Sequence, residues 1–215
     1  MNVDDDRMEM LLTLRQGGVT DDRILRRMEA VDRALFVPEA FRDRAYADSA
    51  LPIDCHQTIS QPLVVGLMTQ ALAVGDRMKV LEVGTGSGYQ SAVLAPFCRR
   101  LYTIERHAAL LKGAEALFRS LRLENVTTLL GDGTRGWPEQ APFQRILVTA
   151  AAPDLPPVLI DQLAPGGVMV APIGDAGHQR LLKVTKGMEG DLAIEDLCGV
   201  LFVPLVAGLA LRGAD

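Results

Sequence analysis

The chain has 215 residues, 48% hydrophobic and 23% charged, with a formal net charge of −5. That balance belongs to globular proteins and excludes disordered, collagen-like and membrane-embedded classes. The net acidity also disfavours a phosphate-tracking surface, which needs clustered Lys and Arg, so no nucleic-acid partner is expected. Residues 1–6 are acidic where a signal peptide is basic, and no apolar run reaches the length of a membrane span. A cytoplasmic protein without a membrane partner follows as the expectation; the sequence carries no signal of oligomeric state. Cys55, Cys98 and Cys198, with His56, His107 and His178, show no standard ligand spacing, so no metal is expected. Cys55 beside His56 reads as an incidental thiol, because adjacent side chains seldom face each other as nucleophile and base.

No linker, repeat or low-complexity stretch divides the chain, so residues 1–215 read as a single domain. Its expected parts are a helical N-terminal portion with a substrate and cofactor loop (1–75), a Rossmann-like core (76–175) and C-terminal strands (176–215). Met8, Leu11, Leu12 and Leu14 recur at helical spacing until Gly17-Gly18. Asp21-Asp22 then opens a second helix through Ile24, Met28 and Val31. An irregular stretch from Ala50 to Pro62 precedes a helix carrying Val64, Val65, Leu67, Met68 and Leu72, with Ser60 at its expected N-cap. From Met78, short apolar strands at 79–83, 100–105, 126–130, 145–150 and 168–172 alternate with helices. This is the signature of an α/β fold with a mostly parallel, doubly wound sheet. Runs at 179–185 and 200–205 have no helix between them and are expected to pair antiparallel at one edge.

The first strand ends in Glu82-Val83-Gly84-Thr85-Gly86-Ser87-Gly88, and glycines at a strand's carboxyl end let a backbone approach a ligand closely. A dinucleotide fingerprint would need glycine where Tyr89 stands, which argues against an NAD-dependent dehydrogenase. An acidic residue followed by G-x-G-x-G resembles instead the first motif of Rossmann-like S-adenosylmethionine methyltransferases. The resemblance implies that Glu82 orients the loop and the cofactor's amino-acid moiety, and that Gly84, Thr85, Gly86, Ser87 and Gly88 form the loop. Glu105 ends the second strand, where its carboxylate can accept hydrogen bonds from two ribose hydroxyls. Gly131-Asp132-Gly133 ends the third, placing Asp132 and Gly133 beside an adenine with the carboxylate toward its exocyclic amine. Acids at successive strand ends are not demanded by tight turns, so three strand ends converging on one nucleoside is the expected arrangement.

Thr58-Ile59-Ser60-Gln61-Pro62, the run 80–89, Gly131-Asp132-Gly133, Ala150-Ala151-Ala152-Pro153 and the run 199–205 together resemble the protein-L-isoaspartate O-methyltransferase family. The likeness covers residues 10–206, and the Thr-Ile-Ser-Gln-Pro segment and Val-Pro-Leu tail are more specific than the glycine loop. It implies S-adenosyl-L-methionine as methyl donor, S-adenosylhomocysteine as product, and isoaspartyl-containing proteins and peptides as partners. It further implies Ser60 at the active site, Thr58, Ile59 and Gln61 lining the cofactor and substrate pocket, and residues 202–205 holding the peptide. A carboxylate acceptor is anionic at neutral pH, so the transfer needs no general base and Ser60 is expected to act as a positioning donor. Ser60 lacks the G-x-S-x-G elbow and triad order of a hydrolase nucleophile. The chain departs from the family at Asp54 and His56, where glycines are common. That departure leaves room for a same-fold methyltransferase acting on another peptide or small-molecule carboxylate.

Overall fold

The computed structural model describes residues 3–210. Helix α1 (Val3–Gln16) stops before Gly17, and α2 (Asp22–Ala30) begins where the Asp21 carboxylate accepts the Arg23 N–H at 2.9 Å. The remaining helical turns of the preface, at Arg33–Phe36 and Glu39–Arg44, are 3-10 rather than α. A two-residue hairpin follows, β1 (Leu51–Pro52) against β2 (Thr58–Ile59), and then α3 (Pro62–Leu72).

Next come β3 (Lys79–Val83), α4 (Tyr89–Leu94), β4 (Arg100–Glu105), α5 (Ala108–Ser120), β5 (Val126–Leu130), β6 (Phe143–Val148), α6 (Pro157–Asp161) and β7 (Leu163–Ile173). The last two strands among the described residues are β8 (Gln179–Lys186) and β9 (Leu192–Val200). Seven strands form one sheet in the order β5-β4-β3-β6-β7-β8-β9, parallel through β7 and antiparallel at β8 and β9. The α/β reading with an antiparallel C-terminal edge therefore holds. Alternate residues of each central strand enter two apolar layers, as a two-residue side-chain period requires. Val80, Leu101 and Leu147 pack with Met68 and Leu72 of α3 on one face, while Leu81, Val83, Ile146 and Val148 pack with Leu159 of α6 on the other. The preface helices build their own core against Tyr89, Ala92 and Val93 of α4.

Two expectations are corrected. The last strand is β9, not 200–205: residues 201–205 run irregularly across the sheet's end, where Ala151 N–H donates to Val203 O at 2.8 Å and Leu205 N–H to Ala151 O at 2.7 Å. Pro204 has no N–H to give a ladder, so this apolar run bridges to one residue instead of pairing as an edge strand. Ser60 is likewise not the N-cap of α3; Gln61 occupies that position without a side-chain bond. The orphan N–H of Leu63 is taken by Asp48 Oδ1 at 2.8 Å, while Gln61 Nε2 donates to Asp48 Oδ2 at 2.7 Å.

Candidate active site

The sheet changes winding direction between β3 and β6, since β4 and β5 lie to one side of β3 and β6 to the other. Open α/β sheets place ligands at the carboxyl ends of strands at such a switch point. There the chain forms a cavity lined by Val83, Gly84, Thr85, Gly86 and Ser87 after β3, Glu105 at the end of β4, Gly133 after β5 and Thr149 after β6. The hairpin supplies the opposite wall with His56, Thr58, Ile59 and Ser60, and the C-terminal run closes it with Val203, Pro204 and Leu205.

Glu105 organises the glycine turn. Its Oε2 accepts the Gly86 N–H at 2.9 Å and its Oε1 the His107 N–H at 2.9 Å. Thr149 ties the turn to β6 by donating from Oγ1 to Gly84 O at 2.7 Å. Gly86 has φ +54°, and a Cβ there would meet only Ile53 Cδ1 at 3.9 Å, so its outer face opens onto the cavity. Gly88 serves another purpose: a Cβ there would sit 2.8 Å from Phe118 Cε1, so it is glycine for packing against α5.

Ser60 lines the cavity, and its hydroxyl has no hydrogen bond within the chain among the described residues. Because Asp48 rather than Ser60 satisfies the start of α3, that hydroxyl is available to a ligand. Around the hairpin tip, Cys55 (φ 58°) and His56 (φ 52°) are both left-handed, and Gln57 N–H closes the turn on Asp54 O at 3.2 Å.

Thr58, Ile59, Ser60, Gly84, Thr85, Gly86, Ser87, Glu105 and Gly133 thus meet around one cavity, whereas Gln61, Glu82, Gly88 and Asp132 stand behind its wall. Glu82 is fully buried and accepts from Ser91 Oγ and, at 2.6 Å, from Thr103 Oγ1. Burial pushes its carboxyl up to about 7 against those two hydrogen bonds. Asp132 has both oxygens engaged, Oδ1 by the Thr134 N–H (2.9 Å) and hydroxyl (2.7 Å), Oδ2 by the Gly208 N–H (2.8 Å). Burial opposes its ionisation, yet these bonds hold it below the usual carboxylate range. Sequence reasoning passed over Thr149, Tyr89, Arg106 and His107, which also line the cavity. Applying the strand-end rule to the fourth parallel strand finds Thr149.

Residues 5–210 match the family model described as protein-L-isoaspartate(D-aspartate) O-methyltransferase. The chain belongs to this O-methyltransferase family. The protein-L-isoaspartate O-methyltransferase of Paramagnetospirillum magneticum is 61% identical over 204 residues, covering 94% of this chain and 95% of that protein. Its Rhodospirillum rubrum counterpart is 58% identical over 216 residues, covering 100% and 99%. Among solved structures, a protein-L-isoaspartate O-methyltransferase superposes with a TM-score of 0.83 at 25% identity, covering 94% of this chain and 67% of that one. A putative methyltransferase of the family from Plasmodium falciparum, in complex with S-adenosyl-L-homocysteine, gives 0.78 at 25% identity, covering 92% and 97%. The donor set of this O-methyltransferase suits such a nucleoside: Glu105 keeps unused acceptor lone pairs, Gly86 leaves its flank open, and Val83 and Ile104 offer apolar walls.

Proposed function

We propose that the chain transfers the methyl group of S-adenosylmethionine to the α-carboxylate of L-isoaspartyl residues in damaged proteins and peptides, with Ser60 orienting the acceptor. The observation that carries this reading is the Ser60 hydroxyl, unengaged among the described residues, in the same cavity as Glu105 and the Gly84–Ser87 turn. S-adenosylmethionine supplies a sulfonium-bound methyl carbon and leaves as S-adenosylhomocysteine. Glu105 would hold the ribose hydroxyls, and Thr85, Gly86 and Ser87 the adjoining face of the cofactor. Ser60 would donate its O–H to the acceptor carboxylate and fix one oxygen toward the methyl group. An ionised carboxylate attacks without losing a proton, so the site needs alignment rather than a base. The apolar lining of Val83, Ile104 and Leu205 limits hydration of the two opposite charges that the transfer disperses. Thr58 and Ile59 place the hairpin wall, while Gln61 and Glu82 act behind it.

Residues 202–205, of which Val203, Pro204 and Leu205 line the cavity, would receive the peptide backbone, and the expected partners are proteins and peptides rather than nucleic acid. The released methyl ester can close to a succinimide without the protein's help, which begins repair. No helix among the described residues is long and apolar enough to cross a membrane. The reading includes a cytoplasmic location, a compartment in which cysteine thiols stay reduced.

The test is transfer of labelled methyl to matched isoaspartyl and aspartyl peptides, scored as base-labile ester. Selective labelling of the isoaspartyl peptide supports the proposal. Equal labelling of both, or of neither by protein that binds S-adenosylhomocysteine, overturns the substrate assignment. Ser60→Ala is expected to lower kcat about tenfold or more while leaving S-adenosylhomocysteine affinity within about threefold, the pattern of a lost positioning contact. Full activity in that variant removes Ser60 from its role.

A further inference from the structure

Arg33 is fully buried, and it has no carboxylate within ion-pair distance among the described residues. Its partners are three backbone carbonyls from two segments: Ala45 O and, more loosely, Ser49 O at 3.4 Å in the turn after Arg44, and Ser60 O at 2.8 Å in the hairpin wall. The guanidinium carbon also lies 5.5 Å from the centroid of the Tyr89 ring, and Tyr89 both opens α4 behind the glycine turn and lines the cavity. Burial lowers the pKa of Arg33, with Tyr89 and Asp48 opposing that effect.

Burying a cation without a counter-charge is costly, and an apolar side chain of similar volume would avoid the cost. A flat fork of N–H donors offers what such a side chain lacks, because it can hold several carbonyls in one plane. One of those carbonyls belongs to Ser60. No side chain of the α3 cap fixes that residue, since Asp48 binds Gln61 and Leu63 on its C-terminal side. The Ser60 carbonyl is therefore held from the N-terminal preface, and with it the backbone from which the hydroxyl projects.

We infer that Arg33 is a positioning residue for methyl transfer, setting the orientation of Ser60 through its carbonyl oxygen. The guanidinium lies between the acceptor wall and the first turn of the cofactor-side helix, and so keeps the two halves of the cavity in register. This inference rests on the proposed role of Ser60, and its test separates the two.

The measurement is a double-mutant cycle: kcat on an isoaspartyl peptide, with S-adenosylhomocysteine affinity by calorimetry, for the unmodified chain, Arg33→Lys, Ser60→Ala and the double variant. Arg33→Lys keeps the charge but loses the fork. It is expected to lower kcat about tenfold or more, since small misalignments carry costs of that order, while affinity stays within about threefold. On the Ser60→Ala background the same change should cost less than about threefold, because coupled residues are not additive. A merely structural role would not produce that dependence on Ser60. Arg33→Met removes the buried charge at similar volume and carries the same comparison where the Lys variant does not fold. Cofactor-binding Arg33 variants with unchanged kcat, or with equal losses on both backgrounds, overturn the inference while leaving Ser60 in place. A fully active Ser60→Ala overturns the Ser60 reading and this inference with it.

Discussion

Glu105 spends one lone pair of each carboxylate oxygen on the backbone, holding the Gly86 and His107 N–H groups. An ionised carboxylate has roughly four such sites, so about two remain for a pair of ribose hydroxyls. One side chain therefore shapes the glycine turn and offers the contacts that a nucleoside would use. Glu105→Ala removes both functions and is expected to raise the S-adenosylhomocysteine Kd about tenfold to a hundredfold, the range for hydrogen bonds to a charged group. Glu105→Gln keeps one acceptor and should fall between the two. Calorimetric titration decides, and unchanged affinity in the Ala variant would remove Glu105 from the cofactor's contacts. Its place at the cavity was legible from sequence because an acid at a strand's carboxyl end has a fixed direction. Asp132 follows the same pattern, yet the Thr134 N–H and hydroxyl and the Gly208 N–H take three of its acceptor sites, and a partner 76 residues away is invisible to local spacing.

At the scale of elements, the active-site wall is a hairpin whose turn contradicts its own residues. Both central positions, Cys55 and His56, are left-handed, the geometry of turns that favour Asn-Gly, and the i to i+3 bond from Gln57 N–H to Asp54 O is present. A left-handed non-glycine residue costs roughly 1–2 kcal/mol. His56→Gly is expected to stabilise the fold by about 1 kcal/mol in urea denaturation, a relief partly offset by glycine's greater entropy loss. A destabilised variant would show that the imidazole packs usefully over the cavity. The following helix depends on Asp48, so Asp48→Ala should destabilise by about 1–2 kcal/mol, as loss of an N-terminal cap does; no change in urea midpoint would mean that water substitutes for it. Hydrophobic period and glycine punctuation revealed β3 to β8 and the first two helices. They failed at Ser60 because the true cap comes from Asp48, outside the local pattern. They failed at the last strand because β9 is an exposed edge whose apolar residues are interrupted by Glu195 and Asp196, while Val203, Pro204 and Leu205 of the more continuous apolar run line the cavity instead of joining the ladder.

For the molecule as a whole, the buried Glu82 makes stability depend on pH in a direction opposite to most paired carboxylates. It sits behind the cavity, where Ser91 of α4 and Thr103 of β4 donate to Oε2, while Oε1 is buried with no partner among the described residues. Burial pushes the folded-state value up to about 7, against an ordinary 4.5, and Glu105 nearby raises it further. The folded chain therefore keeps a proton that the unfolded chain releases. The contribution of Glu82 to stability is fully present below about pH 4.5 and is lost as pH rises through about 7, a swing of about 3 kcal/mol for a shift of this size. Asp21 and Asp132, whose folded-state values are lowered, act with the reverse sign at more acidic pH. They are common to both proteins in a comparison with Glu82→Gln and cancel from the difference. Urea unfolding of both proteins from pH 4.5 to 8 should show the unmodified chain losing ground to the variant by about 3 kcal/mol, with most of the change between pH 5 and 7. A gap that does not move with pH would mean that Glu82 ionises as it does in water. The core behind the glycine turn would then have to solvate a full negative charge.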